Sequence, residues 1–311
     1  SRTYEHAVQW AQSGHKVTVV TCAPNFPEGK LYEGYKNSWY SRSRLNGIDV
    51  VRVKTYITSN EGFFRRILDY LSFMLTGATA ALFQPKVDVV VGTSPQFFTA
   101  VAAWIVSSIK RKPFVFELRD IWPASITAVG AMKDSFAIRM LERLEMFLYR
   151  RASAIVSVTQ AFKKELVNRG INGEKISVVP NGVDMKIYSP VTQKDQALVK
   201  EFGLEGKFVV GYVGTHGLAH ALDKVLLAAA HLNEYSDIVF LFVGGGAAKE
   251  SLIAEANEQK LDNVLFVDRQ SKELMPNIWS LCDVSLAHLK NEPLFATVVP
   301  SKIFEAMGMA I

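Results

Sequence analysis

The chain has 311 residues, 49% hydrophobic and 21% charged, with a net charge of +5. That is ordinary soluble globular composition, long enough for two domains. Two distant cysteines without a Cys-x-x-Cys spacing, Cys22 and Cys282, argue against a disulfide framework or a zinc site and fit a reducing cytoplasm.

The charge is uneven. Residues 1–185 carry 24 Lys+Arg against 15 Asp+Glu, and residues 186–311 carry 11 against 15. A basic front half suits an anionic acceptor or an anionic membrane surface. The basic residues are scattered and carry no nucleic-acid signature, which argues against nucleic acid as a partner.

In chain order, the sequence opens in what reads as mid-helix, Thr3–Gln12, and stops where a buried strand would start, so it reads as a piece lacking both ends. Apolar, β-branched runs at Lys16–Thr21, Asp49–Lys54, Val87–Gly92, Phe114–Leu118, Ala154–Thr159 and Lys175–Pro180 predict strands. So do Phe208–Val213, Val239–Gly244, Val264–Val267 and Val284–Ala287. Amphipathic stretches such as Ser135–Arg151, Gln160–Arg169 and Asp223–Asn233 alternate with them. Alternation of this kind predicts parallel sheets in an α/β fold. Phe63–Leu75 reads as a helix, basic and aromatic at its start. It is either an ordinary buried helix or one lying in a membrane interface, and it is too short and too charged to span a bilayer. The turn-forming Pro180-Asn181-Gly182-Val183-Asp184 breaks the chain, and the domains are expected to be 1–185 and 186–311.

Four segments carry candidate chemistry. In Pro300-Ser301-Lys302-Ile303-Phe304-Glu305, a loop opens a helix whose N-terminal N–H groups, with the Lys302 ammonium, suit a diphosphate. The Glu305 carboxylate could accept from both hydroxyls of a ribose. The plainer alternative is a capped surface helix. Gly211-Tyr212-Val213-Gly214-Thr215-His216-Gly217 is a strand running into a turn that lets backbone approach a phosphate. Gly244-Gly245-Gly246 is a second such loop or a plain strand–helix turn. Glu117-Leu118-Arg119-Asp120-Ile121-Trp122-Pro123 ends a strand. There Arg119 could grip a phosphate, Asp120 could bind or deprotonate a sugar hydroxyl, and Trp122 could stack on a sugar ring. Alternatively Asp120 caps a helix and Trp122 is core.

No Gly-x-Gly-x-x-Gly followed by an acid, no P-loop, no Asp-x-Asp, no His-Glu-x-x-His and no Gly-x-Ser-x-Gly occurs. The absence of Asp-x-Asp disfavours a metal-held diphosphate, and the six histidines show no metal-like cluster.

Taken together and in order, Val179–Asp184, Gly211–Gly214, Val243–Gly246 and Pro300–Met307 resemble the family-4 retaining glycosyltransferases over essentially the whole chain. Arg119-Asp120-Ile121-Trp122-Pro123 further resembles the bacterial surface-polysaccharide branch, which includes transferases of N-acetylfucosamine type. The resemblance implies a GT-B fold: two Rossmann-like, doubly wound parallel-sheet domains facing across a cleft. The N-terminal domain (first strand missing) would take the acceptor, and the C-terminal domain (its end missing) the nucleotide sugar.

Carried onto this chain, the resemblance gives Glu305 the ribose hydroxyls. Gly214, Thr215, His216, Gly217, Ser301 and Lys302 would hold the diphosphate. Gly244 and Gly245 would line the donor site, and Arg269 would touch the base or a phosphate. Arg119, Asp120 and Trp122 would line the acceptor side. Asp120, Lys302 and Glu305 are the expected catalytic set. Many members have Glu where this chain has Thr297, and Arg and Lys where it has Thr215 and His220.

The expected reaction is metal-independent and retaining. A sugar, implied to be a UDP-linked amino sugar, moves to a hydroxyl of a lipid-linked saccharide in polysaccharide (capsule or lipopolysaccharide) biosynthesis. The expected place is the cytoplasm, with peripheral contact at the inner face of the plasma membrane. Two alternatives stay open: a UDP-sugar 2-epimerase on the same fold, and a non-catalytic subunit binding nucleotide sugar or lipid intermediate.

Overall fold

The computed structural model describes residues 2–25, 29–58, 63–123 and 136–311. They form two compact units, one ending at Val179 and the other running Pro180–Ile311. The units therefore part at Pro180, ahead of the 185/186 boundary that the sequence suggests; residues 181–184 form no turn, and the turn falls at Met185–Ile187 instead.

The first unit holds two sheets. In one, β1 (Thr18–Cys22) runs parallel to β3 (Ile48–Val53), which pairs antiparallel with β2 (Tyr40–Leu45). Successive residues of β3 face opposite ways. Ile48 and Val50 pack on Ala7 of α1 (Arg2–Gln12), while Val51 and Val53 pack on Phe73 and Ala80 of α2 (Phe63–Leu82). Covered on both faces, β3 reads as a continuous apolar run. β2 is an edge strand of largely exposed, polar residues, YSRSRL, and its sequence carries no burial signal. The second sheet is all parallel in the order β4-β5-β6-β7: Val90–Thr93, Phe114–Leu118, Ala154–Ser157 and Ile176–Val178. Around it lie α3 (Phe97–Lys110), α4 (Phe136–Arg151) and α5 (Gln160–Asn168). Thr159 starts α5, its Oγ1 accepting from the Phe162 N–H at 3.0 Å.

α2 packs on β1, β3 and α3, with Phe73, Ala78 and Ala80 buried, so it is a core helix with Leu68 and Leu75 left on its outer side. β1 and β4 are both edge strands. An apolar groove of about 160 Å³ lies between them, lined by Val20, Val89, Val91, Phe73 and Val106 among others.

The second unit is one parallel sheet in the order β10-β9-β8-β11: Val264–Val267, Ile238–Val243, Phe208–Val213 and Val284–Ser285. Period-2 alternation splits its core in two. Val209, Val213, Leu241 and Val243 face Leu198 of α6 (Gln196–Glu201), Trp279 of α9 (Met275–Ser280) and Ala306 of α10 (Lys302–Gly308). Tyr212, Phe240 and Phe242 face Leu226 and Ala229 of α7 (Asp223–His231) and Leu252 of α8 (Lys249–Glu258). Helices on both faces of a parallel sheet make this unit doubly wound. The first unit departs from a single parallel sheet by its antiparallel β2 and by the interruption between β1 and β4.

Among the described residues no helix is long and apolar enough to cross a membrane.

Candidate active site

The loops at the carboxyl ends of β8 and β9 interlock. The Gly214 N–H donates to Val243 O at 2.9 Å, the His216 N–H to Gly245 O at 2.9 Å, and the Ala248 N–H to His216 O at 2.9 Å. This packing explains the glycines. A Cβ on Gly244 would sit 2.0 Å from Gly214 O, and one on Gly246 would sit 2.6 Å from His216 O, both at positive φ (+144° and +152°). Gly244 is therefore spent on contact within the chain. A Cβ added at Gly245 would meet nothing within 4 Å, so Gly245 keeps one side open.

His216 is fully buried, its ring among those of Tyr212, Phe242 and Phe266, with neither ring nitrogen hydrogen-bonded. Burial, with the positive charges of Lys249 and Lys302 nearby, pushes it down to about 4, so it is neutral at pH 7. Its expected donor contact thus has no exposed ring to make it, and its contribution runs through the backbone. Thr215 is exposed, and its carbonyl accepts from the Tyr212 hydroxyl at 2.8 Å. Gly217 leads into a 3-10 turn at Leu218–His220.

Lys302, the first residue of α10, reaches back under this turn. Its ammonium lies 3.4 Å from the centroid of the Tyr212 ring and 3.1 Å from where a Gly214 Cβ would be. Only 9% of the residue is exposed, and Nζ has no hydrogen-bond partner. Burial lowers its pKa to about 7, against a smaller opposing pull from Glu305. One turn on, Glu305 Oε2 accepts from the Trp279 indole N–H at 3.0 Å. That bond fixes the carboxylate while Glu305 stays half-buried, so it neither sinks into the core nor swings in bulk water.

Ser301 is exposed and makes no side-chain cap. Arg269 is exposed just past β10. Thr297 closes a 3-10 turn, its hydroxyl donating to Leu294 O at 2.6 Å. The structure thus gathers Gly214, Gly244, Gly245, His216 and Lys302 at one turn, with Glu305 a helical turn beyond Lys302. Arg269 and Ser301 are exposed beside these elements, and the Thr297 hydroxyl is engaged within its own turn.

Sequence reasoning missed the parts played by four residues. Tyr212 is the floor under Lys302, and Trp279 is the clamp on Glu305; both sit in apolar runs that read as core. His220 and His288 form a reciprocal clasp: His220 Nδ1 meets His288 O at 3.2 Å, and His288 Nδ1 meets His220 O at 2.7 Å. The clasp ties the turn after β8 to the segment after β11, and their separation in sequence hides it.

In the first unit, the buried Ser94 hydroxyl receives the N–H groups of Arg119 (2.8 Å) and Asp120 (3.3 Å), holding the segment that leaves β5. Arg119 is exposed and Asp120 half-buried. Trp122 is 9% exposed and stacks on Phe97 with centroids 4.9 Å apart, so its ring is used in packing, as the core alternative held. Beside them, buried Glu117 accepts from Arg2 Nε at 2.9 Å. Burial raises its pKa, but hydrogen bonds from Arg2 and Thr93 outweigh that and leave it lowered and ionised. Among the described residues no three His, Cys, Asp or Glu side chains group as a metal site would require.

The likeness to solved structures fixes the class. Sucrose-phosphate synthase from Thermosynechococcus elongatus superposes with a TM-score of 0.76 at 14% identity, over 98% of this chain and 72% of that one. Anabaena Alr3699/HepE in complex with UDP-glucose superposes with a TM-score of 0.61 at 20% identity, over 83% and 65%. The fold is GT-B, with two Rossmann-like domains.

The signature of Glycosyltransferase Family 4 matches residues 1–186, and that of Glycosyl transferases group 1 matches residues 194–310. The chain belongs to Glycosyltransferase Family 4. It is also similar to WcaI of Escherichia coli (strain K12), named for colanic acid biosynthesis glycosyl transfer. The two are 23% identical over 310 residues, 97% of this chain and 75% of WcaI. The chain therefore spans three quarters of WcaI and less than two thirds of HepE.

Proposed function

We propose that the chain transfers a sugar from a nucleoside diphosphate sugar, UDP-linked, to a hydroxyl of a lipid-linked saccharide during polysaccharide biosynthesis, with retention. One observation carries the reading. Lys302 holds a buried ammonium with no hydrogen-bond partner, one turn from a carboxylate clamped by Trp279. An unpaired buried charge is costly. A diphosphate supplies the missing partner. Trp279 engages Glu305 Oε2, and the other carboxylate oxygen suits the ribose hydroxyls.

In this reading the reaction separates an oxocarbenium-like sugar from a growing diphosphate charge. Lys302 and the backbone N–H groups of Thr215 and Gly217 stabilise that charge, those of Gly214 and His216 being given to Val243 O and Gly245 O, with Arg269 as a further cation. The anomeric carbon–phosphate oxygen bond breaks, the acceptor oxygen bonds to the same face, and the leaving phosphate takes the acceptor's proton. Asp120, beside Arg119, orients the acceptor hydroxyl. Thr297 stands near the donor sugar in place of a carboxylate. The lack of Asp-x-Asp supports turnover that chelators leave intact. The basic first unit supports work at the inner face of the plasma membrane, in peripheral contact with it.

Calorimetric titration of UDP into the wild type and Glu305→Ala tests the donor site. The expected loss is about tenfold or more. Equal binding by the two proteins overturns the ribose assignment. Asp120→Asn with full turnover removes Asp120 from the reaction.

A further inference from the structure

Outside the site above, the first unit carries a group of exposed aromatic rings set against cations where the segment Gly29–Trp39 runs beside the end of β3. Trp39 is 72% exposed, and Lys54 Nζ lies 4.6 Å from its ring centroid. Tyr35 is also exposed, and the Arg52 guanidinium lies 5.3 Å from its centroid. Tyr56, two residues beyond Lys54, adds a third exposed ring.

The backbone that carries these rings is held. Asn37 bridges the two segments in both directions, its amide donating to Thr55 O at 2.8 Å and its carbonyl accepting from the Thr55 N–H at 3.1 Å. Ser72 of α2 accepts from the Tyr56 N–H at 2.8 Å. The patch sits at the carboxyl end of a parallel strand, the edge at which open α/β sheets take ligands.

We infer that Tyr35, Trp39, Arg52 and Lys54 form a binding surface for an acidic saccharide, one bearing uronate or phosphodiester groups.

The chemistry of the two halves is complementary to such a ligand. A pyranose presents a flat face of C–H groups, which packs on an aromatic ring. Lys54 covers one side of Trp39 and leaves the ring otherwise open. A cation lying against each ring supplies charge for an acid group carried on the same sugar or the next. Rings carried on backbone segments that Asn37 ties together suit a repeating rigid chain, since less freedom is lost on binding. A fluid lipid surface would instead favour freely protruding apolar side chains.

The inference rests on the transferase reading only for the saccharide's role as acceptor. Binding itself requires no donor, so the two ideas fail separately.

The test is titration of tetragalacturonate into the protein at low salt, with maltotetraose as the uncharged control and phosphatidylglycerol vesicles as a third arm. Tetragalacturonate is expected to bind saturably and maltotetraose more weakly. Trp39→Ala and Lys54→Gln should each weaken tetragalacturonate by about fivefold or more, while Trp39→Phe retains most of the affinity. UDP binding, measured on the same samples, reports whether each variant is intact and should not change. The inference is overturned if the wild type binds no tetragalacturonate, or if Trp39→Ala binds it as tightly as the wild type does. It is equally overturned if both substitutions abolish vesicle binding and leave the saccharide untouched.

Discussion

At Lys302, stability and the proposed function oppose one another. A buried ammonium over Tyr212 without a hydrogen-bond partner destabilises the folded chain, and an arriving anion removes the cost. Lys302→Met should therefore hold or raise the melting temperature of the second unit and weaken UDP by about tenfold or more, read by calorimetry. The pH dependence has a definite sign. The folded pKa of about 7 lies below that of the unfolded lysine, so the unfolded chain binds more protons above pH 7. Stability relative to Lys302→Met should rise as pH climbs from 7 toward 10. UDP affinity should fall over the same window, because the diphosphate needs the charged form and must then bring a proton with it. Proton uptake is measurable by titrating in buffers of different ionisation enthalpy. Lys302 and Glu305 were legible in the sequence because a lysine and an acid one turn apart at a helix start carry a chemical meaning. Tyr212 and Trp279 were not, because within an apolar strand or helix their polar role depends on tertiary neighbours.

The interlocked loops after β8 and β9 make a contrast between adjacent glycines. Gly244→Ala would place a methyl 2.0 Å from Gly214 O at a positive φ, and it should cost about 2–4 kcal/mol, seen as a lower melting temperature. Gly245→Ala meets open space and should change stability by less than about 0.5 kcal/mol. The strand–helix alternation was readable along nearly the whole chain, since strands covered on both faces are written as apolar runs. β2 escaped because an edge strand facing solvent, YSRSRL, has no alternation and is apolar only at its two ends. The reading of Gly244 as room for a ligand failed in part for a related reason: sequence shows that a side chain is forbidden, not which neighbour forbids it. Trp122 shows the same ambiguity, since a ring at a strand end reads alike whether it stacks on a sugar or on Phe97.

Across the molecule, each unit carries its own core, so damage to one should register separately. In the first unit Glu145 is 1% exposed, accepting from Arg169 at 2.6 Å and from the Tyr149 hydroxyl at 2.7 Å. Arg169→Met strands that carboxylate and should cost about 3 kcal/mol. Burial raises the Glu145 pKa, so the folded form holds its proton more tightly than the unfolded one. Acidification into the carboxylate range should therefore narrow the gap between variant and wild type. Differential scanning calorimetry should show Arg169→Met lowering only the first unit's transition and Gly244→Ala only the second's.

The interruption between β1 and β4 has a colloidal consequence. Each is an edge strand, and Val89 and Val91 stand 47% and 42% exposed beside an oily furrow. Free backbone donors and acceptors in a row invite another chain to zip on. With both edges open, the chain should cluster as its concentration rises, with light scattering falling when Val89→Lys is introduced.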